Sequence, residues 1–152
     1  MKIELRDPVA EDLPIFFAHQ QELEALRMAD WTARDKEAFM AHWAKTAADP
    51  AVLRKTILAG AVVAGYVGSF ERANLREVCY WLGEDVWGKG VATKALAAFL
   101  AEEVRRPLWA RVAKRNPASV RVVEKCGFTI VGEEKYSNAA GEEVEEYVLK
   151  LG

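Results

Sequence analysis

Apolar positions along this chain change period several times, and each change predicts an element. Ile3 and Leu5 alternate with Lys2, Glu4 and Arg6, as in a half-buried strand. Leu13, Phe16, Phe17, Gln20, Leu23 and Leu26 then follow helical spacing, and Pro14 is tolerable only because it lies near the start. Ala29-Asp30-Trp31-Thr32 interrupts that pattern. Asp35 to Ala48 predicts a second helix with Phe39 and Trp43 on one face, ended by Asp49-Pro50.

Period two takes over next. Val52 to Leu58, Val62 to Phe70 and Arg76 to Leu82 are rich in β-branched and aromatic residues, with Ala59-Gly60 and Ala73-Asn74 as turns, and predict an antiparallel meander. A helix from about Val91 to Val104, a short strand Leu108 to Val112 and a helix Pro117 to Cys126 follow. Strands Thr129 to Lys135 and Glu142 to Leu151 close the chain as a hairpin around Ser137 to Gly141. The order is β-αα-βββ-α-β-α-ββ, an α+β chain with seven strands and four helices. It shows no internal repeat and no linker, so residues 1–152 are read as a single domain.

Composition narrows the partners. No apolar run approaches the roughly 20 residues of a membrane span, and the first residues have no signal-peptide core, so no membrane partner and a cytoplasmic location are expected. A net charge of -2, from 21 basic and 23 acidic residues, leaves no overall basic footprint, and nucleic acid is not an expected ligand. Cys79 and Cys126 lack the spacing of a zinc site or redox pair and read as buried free thiols.

Candidate chemistry begins at the strand, glycine turn and helix between residues 78 and 104. The first turn of a helix leaves backbone N–H donors without partners at the positive end of the helix dipole, which favours an anion. Gly88 and Gly90 let a pyrophosphate approach the backbone and permit positive φ, while Lys89 adds charge at the rim. The alternative is an ordinary turn. Two nucleotide motifs come close and fail. Gly83 to Lys89 matches a Walker A loop, but Gly90 stands where a Ser or Thr must hold magnesium. Gly88-x-Gly90-x-x reaches Thr93 where a dinucleotide fingerprint needs Gly or Ala.

A second motif, Asn116-Pro117-Ala118-Ser119, opens the last helix with an N-cap and a proline at the first helical position, and Gly127 follows its end. These residues are caps on the plainest reading. The Asn116 amide and the Ser119 hydroxyl also have the donors and acceptors to meet a ligand's amide.

Three segments in this order, Glu77 to Gly83, Trp87 to Thr93, and Asn116 to Ser119 followed by Glu124-Lys125-Cys126-Gly127-Phe128, resemble the GNAT superfamily of N-acetyltransferases over nearly the whole chain. Within it the chain is most similar to the ribosomal-protein N-terminal acetyltransferases. The resemblance implies the GNAT fold: a mixed, mostly antiparallel seven-stranded sheet flanked by about four helices. It also implies that Arg76–Leu82 and Leu108–Val112 splay apart to admit the pantetheine arm of acetyl-CoA. Backbone groups around Tyr80, Trp81 and Leu82 would pair with that arm, and the amides of Gly88, Lys89, Gly90, Val91, Ala92 and Thr93 would hold the pyrophosphate. Trp87 stands where many members carry Gln or Arg. Asn116 and Ser119 would contact the arm near the thioester, and no metal is implied.

The implied chemistry is acyl transfer from a thioester to an amine by direct attack in a ternary complex. Glu77 is the preferred base, against the alternative that it is an ordinary charged strand residue. The Leu82 amide would stabilise the oxyanion. Many members place a tyrosine as acid where this chain has Val123, so Ser119 is the substitute, with Tyr80, Tyr136 and Tyr147 as alternatives. The acceptor, a small-molecule amine or a protein N-terminus, would meet Trp31 between Asp30 and Thr32, and Tyr136 on the last hairpin. Glu133, Glu134, Glu142, Glu143, Glu145 and Glu146 form a solvated face or attract a cationic amine. His19 and His42 read as structural. A monomer or homodimer is expected, and the competing function is a non-catalytic acyl-CoA sensing module.

Overall fold

In the computed structural model, which describes residues 2–29, 33–138 and 141–152, seven strands form one sheet in the order β1-β2-β3-β4-β5-β7-β6. They are β1 (Ile3–Arg6), β2 (Leu53–Ala59), β3 (Val62–Arg72), β4 (Leu75–Leu82), β5 (Leu108–Ala113), β6 (Thr129–Ser137) and β7 (Glu143–Leu151). All neighbours are antiparallel except β4 and β5, which run parallel. The expected meander is therefore β2-β3-β4, and the mixed sheet has the implied character.

The helices are α1 (Leu13–His19), α2 (Leu23–Ala29), α3 (Lys36–Ala47), α4 (Val91–Glu102) and α5 (Pro117–Lys125). Among the described residues five helices stand where the sequence predicts four, because the first divides at Gln20. Its side-chain Nε2 donates to the buried Tyr66 hydroxyl at 2.9 Å, and its backbone N–H turns onto the Phe16 and Phe17 carbonyls. The break resets the helical phase. Leu23, expected on the apolar face, is 83% exposed, and Ala25 is buried in its place.

α2 is held by an exchange with a distant turn. The Glu84 N–H donates to Glu22 Oε1 at 2.9 Å, and the Ala25 N–H donates to Glu84 Oε1 at 2.9 Å. Glu84 lies in a 3₁₀ turn, Glu84–Val86, between β4 and the glycine loop. A Cβ at Gly83, just before it, would lie 2.6 Å from His19 Nε2, so a side chain there must displace the imidazole.

Period-two alternation sends side chains to two cores. Ile57, Val67, Val78 and Leu82 pack with Leu96 and Phe99 of α4 on one face. Phe16, Phe39, Trp43 and Tyr66 form an aromatic cluster under α1 and α3 on the other. Phe99 and Leu96 are each 1% exposed, so truncating either to Ala costs about 3 kcal/mol or more.

The sheet forks between β4 and β5. Their ladder holds a single pair, Glu77 with Trp109, although β4 runs on to Leu82 and β5 to Ala113. On the other edge of β4, the Gly83 N–H bonds the Ala64 carbonyl of β3 at 2.9 Å. Antiparallel alternation then aims the backbone N–H and C=O groups of Leu82 and Tyr80 toward the fork.

Candidate active site

The glycine turn is built by backbone twist. Gly88 and Gly90 both hold φ of 76°, a left-handed conformation that disfavours side chains, and Gly90 caps α4 without any side-chain hydrogen bond. The N–H groups of Val91, Ala92 and Thr93 therefore begin the helix with no intrahelical acceptor. No atom lies within 4 Å of where a Cβ would sit at either glycine, so the turn opens onto free space.

That space continues into the fork as one cavity of about 750 Å³. Tyr80, Trp81, Leu82, Trp87, Gly88, Gly90, Val91, Ala92 and Thr93 form one side, and Asn116 and Ser119 of α5 border it across the fork. These sequence-predicted residues are brought together. Lys89 is exposed and lies off the wall. Trp87 is 39% exposed and its indole N–H donates to the Leu82 carbonyl at 3.3 Å, which ties the glycine turn back to β4.

At the α5 side of the cavity, Asn116 Oδ1 accepts the Ser119 N–H at 3.1 Å, so its capping role is fulfilled. The Ser119 hydroxyl is 2.6 Å from the Tyr80 hydroxyl. Burial pushes the Tyr80 phenol above its ordinary value, and the Ser119 hydrogen bond pulls the other way. Of the three tyrosines considered as proton donors, Tyr80 borders the cavity and touches Ser119. Tyr136 is 46% exposed on β6 and, like Tyr147, lies off the cavity wall. Trp31, with Asp30 and Thr32, lies outside the described residues.

Glu77 occupies the closed end of the fork. It is 4% exposed, its Oε2 accepts from Arg72 Nε at 2.8 Å and lies 3.5 Å from Arg111 Nε, and it is not part of the cavity wall.

Sequence reasoning missed several lining residues. Ala25, Met28 and Ala29 of α2 line the cavity. Arg121 and Lys125 border it from α5 and are spaced i, i+4, which puts them on one helix face beside the glycine turn. Arg111 of β5 and Glu146 of β7 border it from the sheet. Glu146 had a legible signal. It alternates with Val144 and Val148, both buried, so it belongs to an inward face that the acidic run conceals.

Donors and charges of this set suit a pyrophosphate-bearing thioester: helix-start amides and two cations at one end, a forked strand edge and paired hydroxyls at the other. Among the described residues no group of His, Cys, Asp or Glu side chains is placed to hold a metal ion, and no helix is long and apolar enough to cross a membrane.

A forked mixed sheet with an anion turn at the mouth of the fork is the architecture of an acetyltransferase. The acetyltransferase (GNAT) domain family matches residues 2–129, and the chain belongs to that family. No curated protein matches it in sequence. Among solved structures it is similar to the spermidine N-acetyltransferase from Vibrio cholerae in complex with CoA and spermine. That match has 19% identity over 98% of this chain and 94% of that one, with a TM-score of 0.83. It is similar too to the GNAT superfamily phosphinothricin acetyltransferase from Sinorhizobium meliloti in complex with acetyl-CoA, at 19% identity over 99% and 88% of the chains and a TM-score of 0.81. The microcin C7 self-immunity acetyltransferase MccE, in complex with acetyl-CoA and AMP, shares 19% identity over 99% and 92%, with a TM-score of 0.80. At these identities the likeness is one of fold.

Proposed function

We propose that the protein transfers the acetyl group of acetyl-CoA to a primary amine within a ternary complex. One observation carries the reading: the fork between β4 and β5 and the turn Gly88 to Thr93 share a single cavity of about 750 Å³, bordered at the turn by the free amides of a helix start. The amides of Gly90 to Thr93, with Arg121 and Lys125, hold the phosphates. The outward groups of Tyr80 and Leu82 pair with the arm as an added strand. The cofactor supplies an activated acyl thioester. The Leu82 N–H faces the charge that develops on the acyl oxygen. Ser119, backed by Tyr80, gives a proton to the departing sulfur, a modest task because a thiol's pKa is near 8.5.

The acceptor is a cationic amine, favoured by the carboxylates around Arg111. Under the narrower resemblance to ribosomal-protein N-terminal acetyltransferases it is a protein α-amine, and by likeness to the spermidine enzyme in complex with spermine it is a polyamine. The free thiols Cys79 and Cys126 suit a cytoplasmic setting.

Purified protein is mixed with acetyl-CoA and a panel of polyamines, amino acids and peptides with free N-termini, and thiol release is followed. Release with at least one amine is expected. Tight acetyl-CoA binding with no release across the panel replaces this reading by the acyl-CoA sensing module.

A further inference from the structure

Three glutamates converge on one guanidinium at the floor of the acceptor side. Arg111 Nη1 bonds Glu134 and lies 3.5 Å from Glu146 Oε1, and Arg111 Nε lies 3.5 Å from Glu77 Oε2. The carboxylates come from β4, β6 and β7, gathered around β5 because Glu77 pairs with Trp109, and Glu146 pairs with both Ala113 and Glu134. Their environments differ. Glu77 is sealed by Arg72 and Arg111 away from the cavity, and the Glu134 side chain is 51% exposed at the rim. Glu146 borders the cavity and is 9% exposed.

Building on the acetyl-transfer reading, we infer that Glu146 is the carboxylate that takes the proton from the acceptor ammonium, with Arg111 as the residue that positions it. Glu146 lies opposite Ala113, on the arm of the fork that borders the cavity, so a base there meets an amine arriving over the open end of the sheet. The charges agree. Glu77, Glu134 and Glu146 face Arg111 and Arg72, which leaves one negative charge for an ammonium. From α2, Ala25, Met28 and Ala29 add none. Burial raises the Glu146 carboxyl above the usual carboxylate range. Arg111 and Arg72 oppose that shift and Glu134 reinforces it. A base lifted toward the working pH transfers protons more effectively than an ordinary carboxylate.

The step balances. One ammonium N–H proton passes to a Glu146 oxygen, and the freed nitrogen pair forms the C–N bond to the acetyl carbon. The C–S bond breaks, its electron pair leaves on sulfur, and sulfur takes the Ser119 proton. The nitrogen sheds its second proton to water as it becomes the amide, Ser119 regains its proton from water through Tyr80, and Glu146 releases its own to water, so one proton is set free per turnover.

The test compares wild type, Glu146→Gln, Glu146→Asp and Glu77→Gln with an amine shown to be a substrate, measuring kcat and KM against pH and acetyl-CoA affinity by calorimetry. Glu146→Gln should lower kcat by about 100-fold and remove the acidic limb of the pH profile, with acetyl-CoA affinity within about twofold of wild type. Glu146→Asp should restore part of kcat. An acidic limb that survives in Glu146→Gln, or that vanishes only in Glu77→Gln, overturns the assignment while leaving acetyl transfer intact. If no amine is turned over by wild type, the transfer reading itself has failed. Should Glu146→Gln not fold, carbon-13 NMR of the wild-type glutamate carboxyls decides the matter: the Glu146 signal must shift when the amine is added to the acetyl-CoA complex, and an unmoved signal overturns the proposal.

Discussion

The Tyr80 phenol and the Ser119 hydroxyl share a 2.6 Å hydrogen bond that joins β4 to the first turn of α5. Val123, where the family resemblance led a tyrosine to be expected, is buried, and Tyr80 on the facing strand borders the cavity. Under the proposed transfer the pair acts as one proton path, so Tyr80→Phe and Ser119→Ala should each lower kcat about tenfold and the double variant little more. Single-turnover rates on the four proteins measure this. A double variant at the product of the two losses would show independent roles.

The glycine turn depends on conformation, since nothing crowds either glycine. Gly90→Ala places a Cβ on a residue at φ 76°, a strain of about 1–2 kcal/mol. Acetyl-CoA affinity should fall at least fivefold, with secondary structure intact by circular dichroism. Unchanged affinity would mean that the phosphates lie elsewhere.

Arg121 and Lys125 share the cavity wall beside the turn, so each should act on the phosphates through charge. Arg121→Ala and Lys125→Ala are expected to weaken CoA binding several-fold and to flatten its dependence on salt, leaving kcat at saturating acetyl-CoA nearly untouched. Titrations at low and high ionic strength check both. A loss confined to kcat contradicts the assignment.

Asp12 anchors β1 to β2. Its carboxylate accepts from Arg6 Nη1 at 2.7 Å, Arg6 Nη2 at 2.9 Å, the Thr56 hydroxyl at 2.7 Å and the Val9 N–H at 3.0 Å. The Arg6 hydrogen bonds, against the cost of burial, hold the group at about 2, below its ordinary 3.8. A depressed carboxyl stabilises the fold fully above its unfolded value and loses that contribution as pH falls from about 4 to about 2. The amount is on the order of 2 kcal/mol. Asp12→Asn should cost that much at pH 7 and almost nothing near pH 2, with urea melts at both pH values as the measure. Glu103, held at about 2 chiefly by Arg105, keeps some acid sensitivity in the variant.

Legibility followed locality. The grouping of Tyr80 to Thr93 with Asn116 and Ser119 around one cavity was readable because each stretch is continuous in sequence, so strand, turn and cap signals sat beside the residues they positioned. The cluster around Arg111 was not. Arg111, Glu77, Glu134 and Glu146 meet only through sheet register, and no local pattern announces that β7 inserts between β5 and β6. The missed break at Gln20 has the same origin. Its cause is a hydrogen bond to Tyr66, 46 residues away. Glu77 was singled out for lying on the central strand, and that placement holds. Whether its side chain reached the cavity depended on Arg72 and Arg111, which sequence spacing does not reveal.

Glu22 and Glu84, which trade hydrogen bonds with each other's backbone segments, bear on the sequence of arrival of the two substrates. One end of the exchange carries α2, which borders the cavity, and the other leads into the glycine turn, the proposed sites of amine and phosphates. A phosphate-bearing guest that settles the turn also settles the wall, so the amine should find its berth finished only after the cofactor has docked. A non-reactive amine analogue should then bind the acetyl-CoA-loaded protein about tenfold more tightly than the empty one, and Glu84→Ala should erase the difference. Equal affinities in the unaltered protein would leave the two walls as strangers that merely share a cavity.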